Sequence, residues 1–338
     1  MAAETPVVFY RYDGSPFSDK IDNVLLLKGI PHRKVDVRTV SMTLPRPEIS
    51  DLLGVSYRRI PVLAIGNDVY CDTSLIASAL EHCFPKEKGY GTLFPARSGT
   101  NKVDTGMIKA FCMYYADRPL FSLAAACLPY NKFPPKFLED RAQFQGSKQM
   151  NVEAAIARQP MIKSTLSSHM ELLEEQLSDG REWLFDTVLP SFADIAVHFP
   201  YFWVRHFRGM KDILPESKFP KSIAWISRIS DYLNSRKAGD VAPSTKITGD
   251  AAAKVIVQAQ PLAQVGFDTE EAHRLGVHRD TQVSVAPDDT GRTVLTHGVL
   301  VGLNREEAVI ETQGSAGKVR CHFPMLNFTI RPSKASKL

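Results

Sequence analysis

The sequence predicts three consecutive units: an α/β unit over residues 1–88, an all-helical unit over 89–238 and a small all-β unit, barrel or sandwich, over 245–332. A short flexible tail, 333–338, follows. Three observations carry this reading. Strand and helix patterns alternate up to residue 85; apolar residues then recur at helical spacing from Val103 to about Arg236; beyond residue 245 the apolar period shortens to two.

In the first unit, residues 7–12 form a short apolar strand and Pro16–Lys28 a helix whose apolar positions include Phe17, Ile21, Val24 and Leu25. Pro16 suits the first helical position, where its missing N–H costs nothing, and Gly29 closes the helix. A second strand covers 32–37, and a proline-broken segment covers 44–53. Two strands, 60–65 and 69–71, are joined by Gly66-Asn67-Asp68, a composition suited to a hairpin turn. The helix Thr73–Cys83 completes the order β-α-β-α-β-β-α, that of thioredoxin-like domains.

Residues 86–102, rich in Gly, Pro and Lys, read as a linker. In the helical unit Met107, Ile108, Phe111, Cys112 and Tyr115 share one face, and Ile162, Leu166, Met170, Leu173 and Leu177 form a second stripe. Ser191 followed by Asp194 approximates a capping box. A second linker spans 238–246. Period-two runs at Val255/Val257, Val283/Val285, Val299/Val301 and Val319/Cys321/Phe323 then predict short strands, with one short helix at 270–275.

Composition narrows the function. At 338 residues the chain can hold two or three domains, and 44% hydrophobic with 23% charged residues is ordinary for a soluble globular protein. The net charge of +4 is dispersed, which argues against nucleic acid as a partner. Five widely spaced cysteines read as buried free thiols in a reducing compartment. The pairs His198/His206 and His273/His278 lack metal-ligand spacing, so no metal is expected, and Asp288-Asp289 reads as a turn. No signal peptide and no apolar run long enough for a membrane span are evident. The tripeptide Ser336-Lys337-Leu338 reads as an address for the peroxisomal import receptor, with the cytoplasm as the alternative location.

The chemistry concentrates at Ser15-Pro16-Phe17-Ser18. In thioredoxin-like domains the turn into this helix usually carries Cys-x-x-Cys, and here both sulfur positions are hydroxyls. A hydroxyl forms no disulfide, so disulfide or dehydroascorbate reduction is disfavoured. It can instead donate a hydrogen bond to another molecule's thiolate.

Over residues 5–235 the chain resembles the glutathione transferase superfamily. Ser15-Pro16-Phe17 is similar to the helix start of serine-type plant classes, and Arg58-Arg59-Ile60-Pro61-Val62-Leu63 to the run before the third strand. Asp72-Thr73 falls where the family has Glu/Asp-Ser, and Trp183-Leu184 with Ser191-Phe192-Ala193-Asp194-Ile195 resembles the helical-domain signature. With its additional β region the chain looks like uncharacterised fungal members associated with secondary metabolism.

The resemblance implies glutathione as co-substrate. Ser15 would hold its thiolate, with Ser18 and Tyr12 as alternatives. Phe17, Arg59, Ile60, Pro61, Asp72 and Thr73 would bind the peptide. Ile60, before a cis-proline, would pair with the cysteinyl backbone. Asp72-Thr73 at a helix N-terminus would take the γ-glutamyl end, and Arg59 would approach the glycyl carboxylate. Simple capping by Ser15 and Asp72-Thr73, and a solvated Arg59, are the plainer roles. Phe111, Met113, Tyr114 and Tyr115 would line a pocket for a small hydrophobic electrophile. A homodimer is implied, as is conjugation or glutathione-dependent isomerisation. The rival reading is a non-enzymatic binding or interaction protein that keeps the fold.

Overall fold

The computed structural model describes residues 5–37, 44–207, 209–210, 212–262 and 264–333. The tripeptide Ser336-Lys337-Leu338 lies outside them. The strands are β1 (Val7–Arg11), β2 (His32–Asp36), β3 (Val62–Ile65), β4 (Asp68–Cys71), β5 (Ser244–Lys246), β6 (Gln282–Pro287), β7 (Thr296–Leu303), β8 (Glu307–Gln313), β9 (Lys318–Pro324) and β10 (Phe328–Pro332). The helices of the first unit are α1 (Pro16–Lys28), α2 (Pro47–Leu53) and α3 (Thr73–Cys83). Then come α4 (Thr105–Phe111), a wider π-helical stretch Cys112–Leu120 and α5 (Phe121–Ala126). After these follow α6 (Pro135–Phe144), α7 (Val152–Ala157), α8 (Gln159–Gln176), α9 (Phe192–Arg205), α10 (Pro220–Ala238), α11 (Gly249–Gln258) and α12 (Thr269–Leu275).

Local signals fix the elements around the site. Ser15 caps α1 by accepting from the Ser18 N–H, Pro16 opens the helix, and Gly29 ends it in the left-handed conformation at φ 70°. The Ser191–Asp194 capping box opens α9. The buried Asp194 carboxylate also accepts from Leu184 N at 2.9 Å and Trp225 Nε1 at 3.0 Å, so this cap ties α9 to α10 and to the preceding loop.

β1 pairs parallel with β2 and antiparallel with β3, and β3 pairs antiparallel with β4. Alternation along β1 sends Phe9 to a core shared with α1, α3 and the helical unit, and sends Val8 and Tyr10 to a second core on the opposite face.

Three sequence-based expectations change here. Residues 255–257 are helical, within α11: Ala252, Ala253 and Ile256 are buried at helical spacing, while Val255 and Val257 are only half-buried. The end of the second linker is strand β5, added parallel to β2. The C-terminal β region is present as β6–β10, but it closes into neither barrel nor sandwich. Its strands extend the thioredoxin-like sheet, in the order β10-β6-β7-β8-β9-β4-β3-β1-β2-β5. β9 lies parallel beside β4, with Val69 opposite Cys321, and so covers an edge whose N–H and C=O groups would otherwise stand unpaired. The β8–β9 turn also packs closely on α2: a Cβ on Gly314 would sit 2.1 Å from Leu52 O at the end of that helix.

Candidate functional site

A cavity of about 1450 Å³ opens between the thioredoxin-like unit, the helical unit and the loops of the C-terminal strands. Ser15, Phe17, Arg59, Ile60, Pro61, Asp72 and Thr73 all line it, brought together from three separate segments of the first unit. Tyr12 lines it as well.

Ser15 is 4% exposed. Its Oγ accepts from Ser18 N at 3.3 Å, and among the described residues it donates to no acceptor. The hydroxyl proton at this cap is therefore uncommitted. Ser18 differs: it is fully buried, does not line the cavity, and its Oγ has no partner among the described residues. Phe17 packs on Phe121 and Phe199, with ring centroids 4.4 and 5.2 Å away.

The Ile60–Pro61 peptide bond is cis and leads into β3. Asp72, at φ 74°, caps α3 by accepting from Ser74 N at 3.0 Å and Ser74 Oγ at 2.7 Å. Thr73 follows as the first residue of the helix. Its Oγ1 takes a hydrogen bond from Lys20 Nζ at 3.2 Å, and Lys20 reaches both carboxylate oxygens of Asp117 at 2.7 Å. The Lys20 side chain is wholly buried, with Nζ 4.8 Å from the Phe192 ring centroid. Burial pushes the Asp117 carboxyl up against the pull of Lys20. Lys20 and Asp117 carried no sequence signal, because a single lysine on an amphipathic helix reads as a solvated charge.

Arg59 lines the cavity, but its side chain is mostly buried and paired rather than a free surface charge. Its Nη2 donates to Thr290 O at 2.8 Å and pairs with Asp289, and its Nη1 is 3.8 Å from Asp72. Burial works against the guanidinium charge, but Tyr57, Asp289 and Asp72 outweigh it and raise the pKa. Asp289 and Thr290 belong to the β6–β7 loop, so the Asp288-Asp289 turn also serves the site.

Three of the expected second-substrate residues are placed elsewhere. Phe111 stacks on Tyr115 at 4.9 Å and packs edge-on to Phe185, and both Phe111 and Tyr115 lean on the helical core. Tyr115 stands behind the wall: its OH is 3.2 Å from Nδ1 of His169, which does line the cavity, and burial pushes its pKa up to about 12. Tyr114 is half exposed and outside the lining. Met113 lines the cavity as expected, together with Asp117, since residues four apart share a helix face and 111 and 115 occupy the other one. The apolar wall is otherwise built from Phe121, Phe133, Phe137, Phe144, Trp203 and Phe207.

Residues 9–88 match the family model described as the glutathione S-transferase N-terminal domain, and residues 124–238 match one described as Domain of unknown function (DUF7962). A solved GST-like protein from Pseudomonas syringae is 24% identical, with a TM-score of 0.68, and the alignment covers 97% of this chain and 99% of that one. The Tau class glutathione S-transferase of mango, Mangifera indica, is 17% identical over 66% of this chain and 88% of its own, at a TM-score of 0.46. The beta-etherase LigF of Sphingobium sp. strain SYK-6 is 17% identical over 69% of this chain and 99% of its own, at 0.48. No curated protein sequence matches this chain.

Proposed function

We propose that this chain, a member of the glutathione S-transferase superfamily, binds glutathione in the cavity at Ser15 and activates its thiol for attack on a hydrophobic electrophile. The observation that carries the proposal is the uncommitted Ser15 hydroxyl at the N-cap of α1, in the same cavity as the cis Ile60–Pro61 bond and the Asp72-Thr73 helix start.

A free cysteine thiol titrates near 8.5, leaving about a few per cent as thiolate at neutral pH. A hydrogen bond to a charged group contributes roughly 1.5–3 kcal/mol, equivalent to about one to two pKa units. The positive end of the α1 dipole acts in the same direction. Ser15 would thus bring the bound thiol close to half ionisation. Ile60 would pair with the cysteinyl backbone, and the N-terminus of α3, with Thr73 backed by Lys20, would hold the γ-glutamyl carboxylate. The aromatic wall around Phe121 and Trp203 would seat the electrophile. Conjugation and glutathione-dependent isomerisation both use this thiolate.

Ultraviolet absorbance of the bound thiolate against pH tests the assignment. In the wild type the thiolate band rises about one to two pH units below that of free glutathione, and in Ser15→Ala it returns toward the free value. Equal midpoints in the two proteins would remove Ser15 from the mechanism. No binding at millimolar glutathione would favour the interaction protein.

A further inference from the structure

We infer that the cationic position beside Ile60 is already filled by the chain's own Asp289, so that the site accepts γ-glutamylcysteinyl thiols whether or not they carry a free glycyl carboxylate. The inference rests on the glutathione reading above and narrows its substrate class.

Arg59 is the cation adjacent to Ile60 in the chain, where the carboxyl end of an extended peptide paired at Ile60 would arrive. Its Nε and Nη2 donors are in use, and Nη1 is engaged only in a longer ion pair. Nε and Nη2 both point at Thr290 O, at 3.3 and 2.8 Å, Nη2 also pairs with Asp289, and Nη1 faces Asp72 at 3.8 Å. Asp289 is held from a second side by Arg118 at 3.7 Å. An incoming carboxylate would have to displace Asp289 or settle beside two like charges, and either outcome cancels the attraction of one guanidinium.

The loop carrying Asp289 is anchored at both ends. Asp288 N donates to Asn327 O at 3.0 Å within the C-terminal sheet, and Gly291 N donates to Phe144 O at 2.8 Å on the helical unit. Gly291 has φ +69°, and a Cβ there would lie 3.3 Å from the Phe144 ring and 3.5 Å from Arg58 Cβ. That close approach keeps the loop over Arg59. The β region is thereby part of the site: it supplies the carboxylate that a ligand's carboxyl terminus would otherwise supply. The γ-glutamyl end is not blocked in this way, because Asp72, Thr73 and Lys20 belong to the first unit.

Isothermal titration of the full chain with glutathione, its glycyl monoethyl ester and γ-glutamylcysteine tests this. The wild type should bind all three within about threefold of one another, and Asp289→Asn should bind glutathione about fivefold tighter with the ester unchanged. The wild-type comparison needs no variant, so it stands even if Asp289→Asn folds poorly. A wild type that prefers glutathione over both analogues by about tenfold or more overturns the inference while leaving the glutathione reading intact. An Asp289→Asn protein with an unaltered glutathione-to-ester ratio does the same. Failure of both proteins to bind any of the three removes the glutathione reading, and the inference with it.

Discussion

His322 Nε2 lies 3.0 Å from Asp68 Oδ1, joining β9 to β4 at the seam between the two halves of the sheet. Its other ring nitrogen is 2.8 Å from Glu307 Oε2. Only the imidazolium can donate to a carboxylate from both nitrogens. Burial alone would push the His322 pKa down; the hydrogen bonds to Asp68 and Glu307 outweigh it, and the pKa is raised. Arg320 shares Asp68, with Nε 2.7 Å from Oδ1, so the seam carries a buried network of alternating charge.

A group whose folded-state pKa is raised contributes stability that is fully present below its unfolded pKa, about 6.5 for histidine, and lost as pH rises through the folded value. The melting temperature of the wild type should therefore fall as pH increases from about 6 toward 9. His322→Gln should be less stable by about 3 kcal/mol at pH 6, because it removes the buried positive charge between Asp68 and Glu307 and leaves Arg320 as the cation on Asp68, and should lose most of this pH slope. Parallel pH profiles for the two proteins would rule out a charged His322.

Thr73 connects the N-terminus of α3 to the buried Lys20–Asp117 pair. Thr73→Val keeps the shape of the side chain and removes the hydroxyl. Its affinity for glutathione should drop about tenfold or more, the melting temperature should fall with the loss of the Lys20 hydrogen bond, and Thr73→Ser should restore both. Titration calorimetry and thermal melts on the three proteins separate a binding role from a capping one. A Thr73→Val protein that binds normally would place the γ-glutamyl group elsewhere.

Trp203 lines the cavity, whereas Trp183 and Trp225 are buried in the helical core. An apolar aromatic ligand entering the second-substrate region should change the Trp203 emission. Trp203→Phe should abolish that change while the emission of the other two tryptophans persists. If the ligand response survives this substitution, the apolar wall is not where such compounds bind.

Much of the site was legible locally. Ser15, Pro16 and Gly29 mark the two ends of α1 by capping chemistry, and Ile60-Pro61 and Asp72-Thr73 stand at element boundaries where backbone geometry demands particular residue types. The second-substrate wall was not legible. Helical spacing groups Phe111 with Tyr115, but only packing shows that this face turns to the core while Met113 and Asp117 face the cavity.

Local pattern along the chain is enough to set which segments are helix or strand in the first unit, where α1 and α3 begin, and that a hydroxyl stands where a redox thiol would. Those features depend on neighbours within a few residues, through capping, periodicity and turn chemistry. Long-range packing decided that the C-terminal strands extend the same sheet rather than closing on themselves, since a period of two identifies a strand but not its partner. It also decided that Arg59 meets Asp289, 230 residues away. A charge pair at that separation leaves no trace in local pattern, because it forms only once β9 has docked on β4 and brought the β6–β7 loop over the cavity.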